Sequence, residues 1–187
     1  MKVLIACEFS GRVREAFKAK GHDAWSCDLL PTEIPGQHIQ DDVLKHLNDG
    51  WDMMIAHDPC TYQCNSGVRW LAERPERYEL LAQSCEFTKQ LLEAPIEKIC
   101  RENPLPHKYA LYLIGVKYSQ AIQPYMFGEP YTKLTCLWLK NLPPLIATLV
   151  TFDRYPAVHR EPPSEDRWKN RSRTYPGIAN AMAEQWG

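Results

Sequence analysis

Short, unbroken apolar runs punctuate the first hundred positions of the chain and set its frame. Lys2-Val3-Leu4-Ile5-Ala6-Cys7 and Met53-Met54-Ile55-Ala56 are too short for helices and lack polar alternation, the pattern of strands covered on both faces of a parallel sheet. Asp23 to Cys27 and Ile96 to Cys100 predict two more strands. Between these runs the period changes. After Glu8-Phe9-Ser10-Gly11, the residues Val13, Ala16 and Phe17 fall at helical spacing, with Ser10 as the candidate cap and Gly21 as the stop. Leu80, Ser84, Phe87 and Leu91 predict a second helix over 75–94, opened by Pro75 and ended by Pro95. Residues 31–37 read as loop, His38 to Val43 as a weak strand and turn, and Val43 to Leu47 as a short helix that Asp42 can cap. Beyond Pro104 the pattern weakens. Only Thr135 to Leu139 stands out as a strand, residues 105–160 read as an irregular Pro-rich insertion, and Tyr175 to Ala183 predicts a closing helix rich in small residues. The alternation predicts one α/β domain over residues 1–187, with a mostly parallel sheet and helices on both faces.

Composition narrows the classes without choosing among them. Hydrophobic residues make up 44% and charged residues 24%, which excludes a disordered or collagen-like chain. No apolar run reaches the length of a membrane span, and the first residues lack a signal peptide's basic-then-apolar pattern, so a cytoplasmic protein with no membrane partner is expected. The 22 basic and 23 acidic residues leave a formal charge of −1, so any contact with nucleic acid must be local. A modest basic excess between Arg154 and Arg173 is one place for it. Seven cysteines, an odd number scattered through apolar runs, point to reduced thiols.

The chemistry gathers at strand ends. Glu8, Asp28, Cys60 and Glu102 each follow a predicted strand, and the carboxyl ends of parallel strands share one edge. Asp28 lies where a βαβ unit presents a carboxylate to a ribose, but Gly11 stands without the further glycines that would let a pyrophosphate approach. A nucleoside cofactor without phosphates is therefore favoured over a dinucleotide. Pro59 makes a stiff turn after Met53 to Ala56, leaving Cys60 on a rigid loop as a candidate nucleophile.

Asp58-Pro59-Cys60 with Ser66-Gly67, followed by Glu102-Asn103-Pro104, resembles the P-C and E-N-V motifs of the DNA cytosine-5 methyltransferases. Glu8-Phe9-Ser10-Gly11 is similar to their cofactor loop, and Arg173-Thr174-Tyr175-Pro176 to Ala183 to their last motif. Over nearly its whole length the chain resembles the small methyltransferase-like proteins of bacteriophages and prophages. The resemblance implies a Rossmann-like S-adenosylmethionine-dependent methyltransferase fold in a bacterial or phage-infected cytoplasm, with DNA cytosine as substrate. It implies Cys60 as the nucleophile that adds to C6 and Glu102 as the carboxyl group serving N3, with a raised pKa. It assigns S-adenosylmethionine to Glu8, Phe9, Ser10 and Gly11, to Asp28 and Asp42, to Asp58 and Pro59, and to Asn180. It assigns the substrate to Ser66, Asn103, Arg171 and Arg173.

Three features depart from the family pattern. Asp58 stands where a small residue or proline is usual, and a charge there is expected to raise the Cys60 pKa. Thr61 replaces a glutamine. Residues 105–160 are too few for a separate target-recognition domain, so the DNA is expected to be single-stranded or read through a partner chain, with a free pyrimidine nucleotide as an alternative. Other readings stand beside this one: a catalytically degenerate binding or counter-defence module, a zinc site at His57, Cys60 and Cys64, and a purely structural role in which the thiols are core and the carboxylates are caps. Tyr62 and Trp70 are the aromatic residues chosen as candidate base-stacking partners. The oligomeric state is left open.

Overall fold

The apolar runs at Lys2 and Met53 become adjacent strands at the centre of a seven-stranded sheet. A computed structural model describes residues 1–187. In chain order the elements begin with β1 (Lys2–Ala6), α1 (Arg12–Ala19), β2 (Asp23–Asp28), β3 (His38–Gln40) and β4 (Met53–Ala56). There follow the short helices α2 (Asn65–Val68) and α3 (Trp70–Glu73), then α4 (Arg77–Leu92), β5 (Lys98–Pro104) and α5 (Lys108–Ile114). The chain ends with β6 (Gln120–Ile122), β7 (Thr135–Lys140), α6 (Ala157–Arg160), α7 (Arg167–Ser172) and α8 (Pro176–Trp186). The sheet order is β3-β2-β1-β4-β5-β7-β6. β1 to β5 run parallel, and β7 is antiparallel to both β5 and β6. This is the Rossmann-like, mostly parallel arrangement expected from the strand pattern.

Alternation along each strand divides the core into two layers. Val3, Ile5, Met53 and Ile55 face Val13 and Phe17 of α1 and Ile178, Met182 and Trp186 of α8. Leu4, Ala6, Met54 and Ala56 face the opposite way, onto Leu91 of α4 and onto Val43 and Trp51. A smaller cluster of Leu71, Leu81, Cys85, Ala110 and Ile114 joins α3, α4 and α5. Phe17, Ile55 and Leu91 have no exposed surface, and full burial of a side chain of this size contributes about 1.5–3 kcal/mol. Pro176 opens the first turn of α8, where its missing amide costs nothing. The next residue must be glycine, because a Cβ at Gly177 would lie 1.9 Å from the Phe127 carbonyl oxygen.

Residues 105–160, expected as an irregular insertion, supply α5, β6 and β7 and so complete the sheet. The strand pattern is faint there because β6 is three residues long and pairs on one side only. β5 continues past Cys100 to Pro104, since Glu102 and Asn103 pair with Leu137 and Cys136 of β7. Where a short helix over Val43 to Leu47 was expected, Val43–His46 forms a 3-10 turn, and Asp42 Oδ1 accepts from the Leu44 amide at 3.0 Å. No helix is long and apolar enough to cross a membrane.

Candidate active site

The loop after β4 is held by a buried polar network. Asp58 is 4% exposed, and its carboxylate accepts from Arg101 Nε at 2.6 Å, Arg101 Nη2 at 3.0 Å and Thr88 Oγ1 at 2.7 Å. Gln63, fully buried, accepts from Arg101 Nη2 at 2.6 Å and donates to Ser84 Oγ and Thr88 Oγ1 of α4. Asn103 Nδ2 donates to the Asp58 carbonyl at 2.9 Å, and the His107 amide donates to the Gln63 carbonyl at 2.9 Å. The Trp138 ring lies 4.1 Å from the Arg101 guanidinium. Residues 58–63 are thereby pinned to β5, α4 and the start of α5, and Cys60 sits half-buried on a loop with little freedom.

This network corrects two expectations. Asp58 does not stand as a free negative charge beside Cys60: it is neutralised by Arg101, and it points toward α4. The Cys60 thiol is nevertheless raised, by its hydrogen bond with Cys64, by burial and by the Glu102 charge. Cys64 moves the other way, down to about 5, through the hydrogen bond with Cys60 and then through the Ser66 hydroxyl and the backbone amides of Ser66 and Gly67. Cys64 Sγ lies 3.0 Å from Ser66 Oγ.

Glu102 contradicts the raised pKa expected of it. Burial pushes its carboxyl up, but the hydrogen bond to His57, the Lys133 ammonium and the Thr135 hydroxyl outweigh burial and hold it at about 2. His57 Nδ1 is 3.1 Å from Glu102 Oε2. Burial lowers the imidazole, yet Glu102 and Glu8 together carry it above its ordinary 6.5. Glu102 is therefore a carboxylate at neutral pH, and its contact with His57 favours the protonated form of the ring. Glu102 has a depressed folded value, so its stabilisation is present above 4.5 and is lost as pH falls toward 2. His57 has a raised folded value, so its stabilisation is fully present below 6.5 and is lost as pH rises through that raised value. His57→Gln is accordingly expected to cost most stability between pH 4.5 and 6.5. The difference from wild type shrinks on either side of that window, which urea unfolding across pH will show.

Glu8 and Ser10 are occupied within the fold. Glu8 Oε1 accepts from the Val13 amide at 2.7 Å and from Ser10 Oγ at 3.2 Å, while Oε2 accepts from the Arg14 amide at 3.3 Å. The carboxylate, rather than Ser10, is the main acceptor at the start of α1. Gly11 holds φ +73°, which gives the chain its entry into the helix. Phe9 is 7% exposed and packs against Trp168 with ring centroids 5.8 Å apart.

A cavity of about 470 Å³ opens beside this loop, over the carboxyl ends of β1 to β4. Cys7, Asp28, Asp42, Pro59, Tyr62 and Phe87 are among its lining residues. Cys7 adopts φ +57°, an uncommon conformation for a residue with a side chain, at the strand end that forms part of this wall. Burial raises the Asp28 carboxyl, and Asp28 Oδ1 accepts from the Leu30 amide at 2.9 Å. Pro59 reaches the cavity and Asp58 does not. Asn180 is exposed on α8 in a separate groove with Arg12, Ala16 and Pro176, so the structure does not bring it to Asp28 and Asp42.

The remaining positions divide. Ser66 is exposed at the mouth of the loop. Arg173 is bound by Glu33, Nε to Oε2 at 2.8 Å and Nη2 to Oε1 at 2.5 Å, so its fork is taken, whereas the buried Nε of Arg171 has no partner. The Arg77 guanidinium lies 4.8 Å from the Tyr62 ring, and Arg69 and Arg74 lie 4.5 and 5.1 Å from the Trp70 ring. His57, Cys60 and Cys64 do not gather into a cluster of metal-holding size. Sequence reasoning named His57 only as a zinc ligand, not as the partner of Glu102, and missed Lys133 and Arg101. An arginine inside the otherwise apolar strand Lys98-Ile99-Cys100-Arg101 was the available signal, because a buried guanidinium requires a carboxylate.

No protein-family model matches the chain, and no curated protein matches it significantly. A crystal structure described as that of a DNA modification methyltransferase encoded within a prophage of E. coli aligns with 80% of this chain at 16% identity and a TM-score of 0.49. The chain spans about half of that one, 51% of its length.

Proposed function

We propose that the chain is an S-adenosylmethionine-dependent DNA methyltransferase acting at C5 of cytosine, with Cys60 as nucleophile and Glu102 managing the proton at N3. One observation carries the reading: Cys60 on the loop after β4 and the buried Glu102 of the neighbouring strand β5 share one sheet edge, where His57 of that loop meets Glu102 at 3.1 Å, beside a cavity with carboxylates at the ends of β2 and β3. The cavity volume is within the usual range for a small-molecule site. Asp28 would accept from the ribose hydroxyls, Asp42 from the adenine amine, and Leu44 and Phe87 would supply apolar walls. When bound, the cofactor supplies an electrophilic methyl group on a sulfonium.

The chain supplies the rest. C5 of cytosine is a weak nucleophile, and addition of the Cys60 sulfur at C6 turns the ring into an enamine reactive at C5. Charge then builds toward N3. Because Glu102 rests as a carboxylate, the proton for N3 is lodged on His57 Nδ1 and reaches the base through the His57–Glu102 hydrogen bond. Lys133 adds a positive charge next to both Cys60 and Glu102. Asn103 holds the loop backbone, and of the two arginines assigned to the substrate Arg173 is bound to Glu33, which leaves Arg171 for phosphate. A duplex cytosine would have to leave its stack to reach Cys60. Residues 105–160 contribute strands to the sheet, which favours single-stranded DNA or a partner chain that reads sequence.

Incubation with S-adenosylmethionine and either single- or double-stranded DNA, followed by digestion and nucleoside mass spectrometry, is expected to yield 5-methylcytosine, faster on single strands. Calorimetric binding of the cofactor without 5-methylcytosine on DNA, RNA or free cytidine nucleotides would refute methyl transfer to cytosine.

A further inference from the structure

We propose that the segment from Tyr155 to Arg171 captures single-stranded DNA, with the Tyr155 and Trp168 rings as stacking platforms for bases and Arg160 and Arg171 as phosphate contacts; this rests on the DNA reading above. The segment stands apart from the core. From Thr151 to Arg173 no residue is buried, and a long surface stretch with no share in the core is where a domain places binding groups. Both of its ends are anchored at the carboxyl edge of the sheet. Beside β7, the Tyr155 amide donates to the Pro130 carbonyl at 2.9 Å and the Thr132 amide to the Tyr155 carbonyl at 3.0 Å. β7 then begins at Thr135, opposite Pro104, the last residue of β5. The other footing lies beyond β1, where Trp168 of α7 packs on Phe9 and Arg173 holds Glu33. In the order β1-β4-β5-β7 the ends of β4 and β5 lie between these footings, with Cys60 and Glu102.

The exposed groups on the segment are of the two kinds a single strand needs. Tyr155 is 47% and Trp168 52% exposed, and a base stacking on either ring takes apolar surface out of water. The Arg160 guanidinium lies 5.0 Å from the Tyr155 ring and Lys169 Nζ 5.6 Å from the Trp168 ring, so each platform has a cation beside it for the neighbouring phosphate. Six basic residues from Arg154 to Arg173 face four acidic ones over residues 153–173. Asp166 pairs with Lys169 at 3.2 Å, and Glu161 Oε1 accepts from Asn170 at 2.6 Å. That leaves Asp153 and Glu165 against Arg154, Arg160, Arg167 and Arg171, a local excess of positive charge on a chain that is neutral as a whole. Lys133 Nζ donates to the Arg173 carbonyl at 3.5 Å and continues that charge toward β7. A duplex hides its base faces in the stack, so ring platforms select single strands, and a base held beside them is already free to turn toward Cys60.

The test needs no methyl transfer. Fluorescence anisotropy of the full chain, without cofactor, compares labelled single-stranded oligodeoxynucleotides of about 12 residues with the duplex and the RNA of the same sequence. Wild type is expected to bind the single strand about tenfold or more tightly than the duplex. Tyr155→Ala and Trp168→Ala should each weaken the single strand roughly five- to hundredfold and leave the duplex unchanged. Trp168→Phe should keep most of the affinity, because a ring remains. Arg160→Gln should flatten the slope of log affinity against log salt by about 0.7, one phosphate contact on a single strand. Neither ring is buried, so unfolding midpoints in urea should stay near wild type and separate lost binding from lost folding. Unchanged single-strand affinity in both alanine variants, equal affinity for duplex and single strand, or tighter binding of the RNA overturns the proposal. Ring-dependent capture without 5-methylcytosine on any substrate keeps this surface and removes the methylation reading. 5-Methylcytosine made on single strands that both alanine variants bind as wild type does keeps that reading and removes this surface.

Discussion

Cys60→Ser is expected to abolish covalent capture of DNA containing 5-fluorocytosine and to lower methyl transfer by four orders of magnitude or more, a loss on the order of that seen when a nucleophile is removed from a preorganised site. The substitution removes little volume and leaves the fold intact, because the loop is held through Asp58, Gln63 and Asn103 rather than through the Cys60 side chain. What it removes is the sulfur nucleophile. A hydroxyl at the same position ionises far less readily and finds no strong base, since the nearest carboxylate is already bound to His57. Fluorine at C5 blocks the elimination that frees the enzyme, so wild type should accumulate an adduct that survives denaturing electrophoresis. Cofactor binding measured by calorimetry should be unchanged in Cys60→Ser, because Cys60 is not among the residues lining the cavity. An adduct persisting in Cys60→Ser would move the nucleophile elsewhere, with Cys64 the first place to look.

Arg101→Met is expected to destabilise the chain by about 3–5 kcal/mol, the cost of leaving a buried carboxylate without its partner. Asp58 and Arg101 have no exposed side-chain surface, and removing the guanidinium takes both of its donors from Asp58 and one from Gln63. The charge left on Asp58 would keep only the Thr88 hydroxyl and a long contact to Gln63 as donors. Urea unfolding should show a lower midpoint with an unchanged slope. Combining Arg101→Met with Asp58→Leu should restore much of the loss, since replacing a buried ion pair as a whole is far less costly than breaking it. The double variant should still lose activity, because the apolar pair no longer aims the loop that carries Cys60. Recovery of stability without recovery of rate would identify Asp58 and Arg101 as positioning residues.

The parts of the fold legible in the sequence are those where one local pattern decides the outcome. β1 and β4 are covered on both faces, so their residues are uniformly apolar. α1 and α4 carry apolar residues at helical spacing and end at Gly21 and before Pro95, which define their limits. β7 was legible as the apolar run Thr135 to Leu139, whereas β6 was obscured, because nothing local marks a three-residue edge strand. The site divides along the same line. Positions at the sheet's carboxyl edge could be inferred for Cys60 and Asp28 from topology alone, while Glu102, expected just past its strand, lies within β5 because it pairs with Leu137. The states of those groups could not, because they are set by partners 43 or 45 residues away: Arg101 for Asp58 and His57 for Glu102. Asp58 looked like a charge added beside a thiol, and it is half of a buried pair. Glu102 looked like an acid awaiting a proton, and it is a carboxylate bound to the neighbouring ring. The reading of Ser10 as a cap failed for a simpler reason: the Glu8 carboxylate reaches the same amides and is the stronger acceptor.

The seat of α8 against α1 governs how the chain can reach this structure during synthesis. Val3, Val13 and Phe17 are synthesised long before Ile178, Met182 and Trp186, yet all six share one buried cluster. That face of the sheet therefore stays open while nearly all of the intervening sequence is being made. The nascent chain exposes its apolar strands until α8 arrives and Trp186 Nε1 donates to the Pro143 carbonyl. A ribosome stalled before Tyr175 would hold a chain with every candidate catalytic side chain present and half of its core uncovered, a substrate for proteases rather than an enzyme.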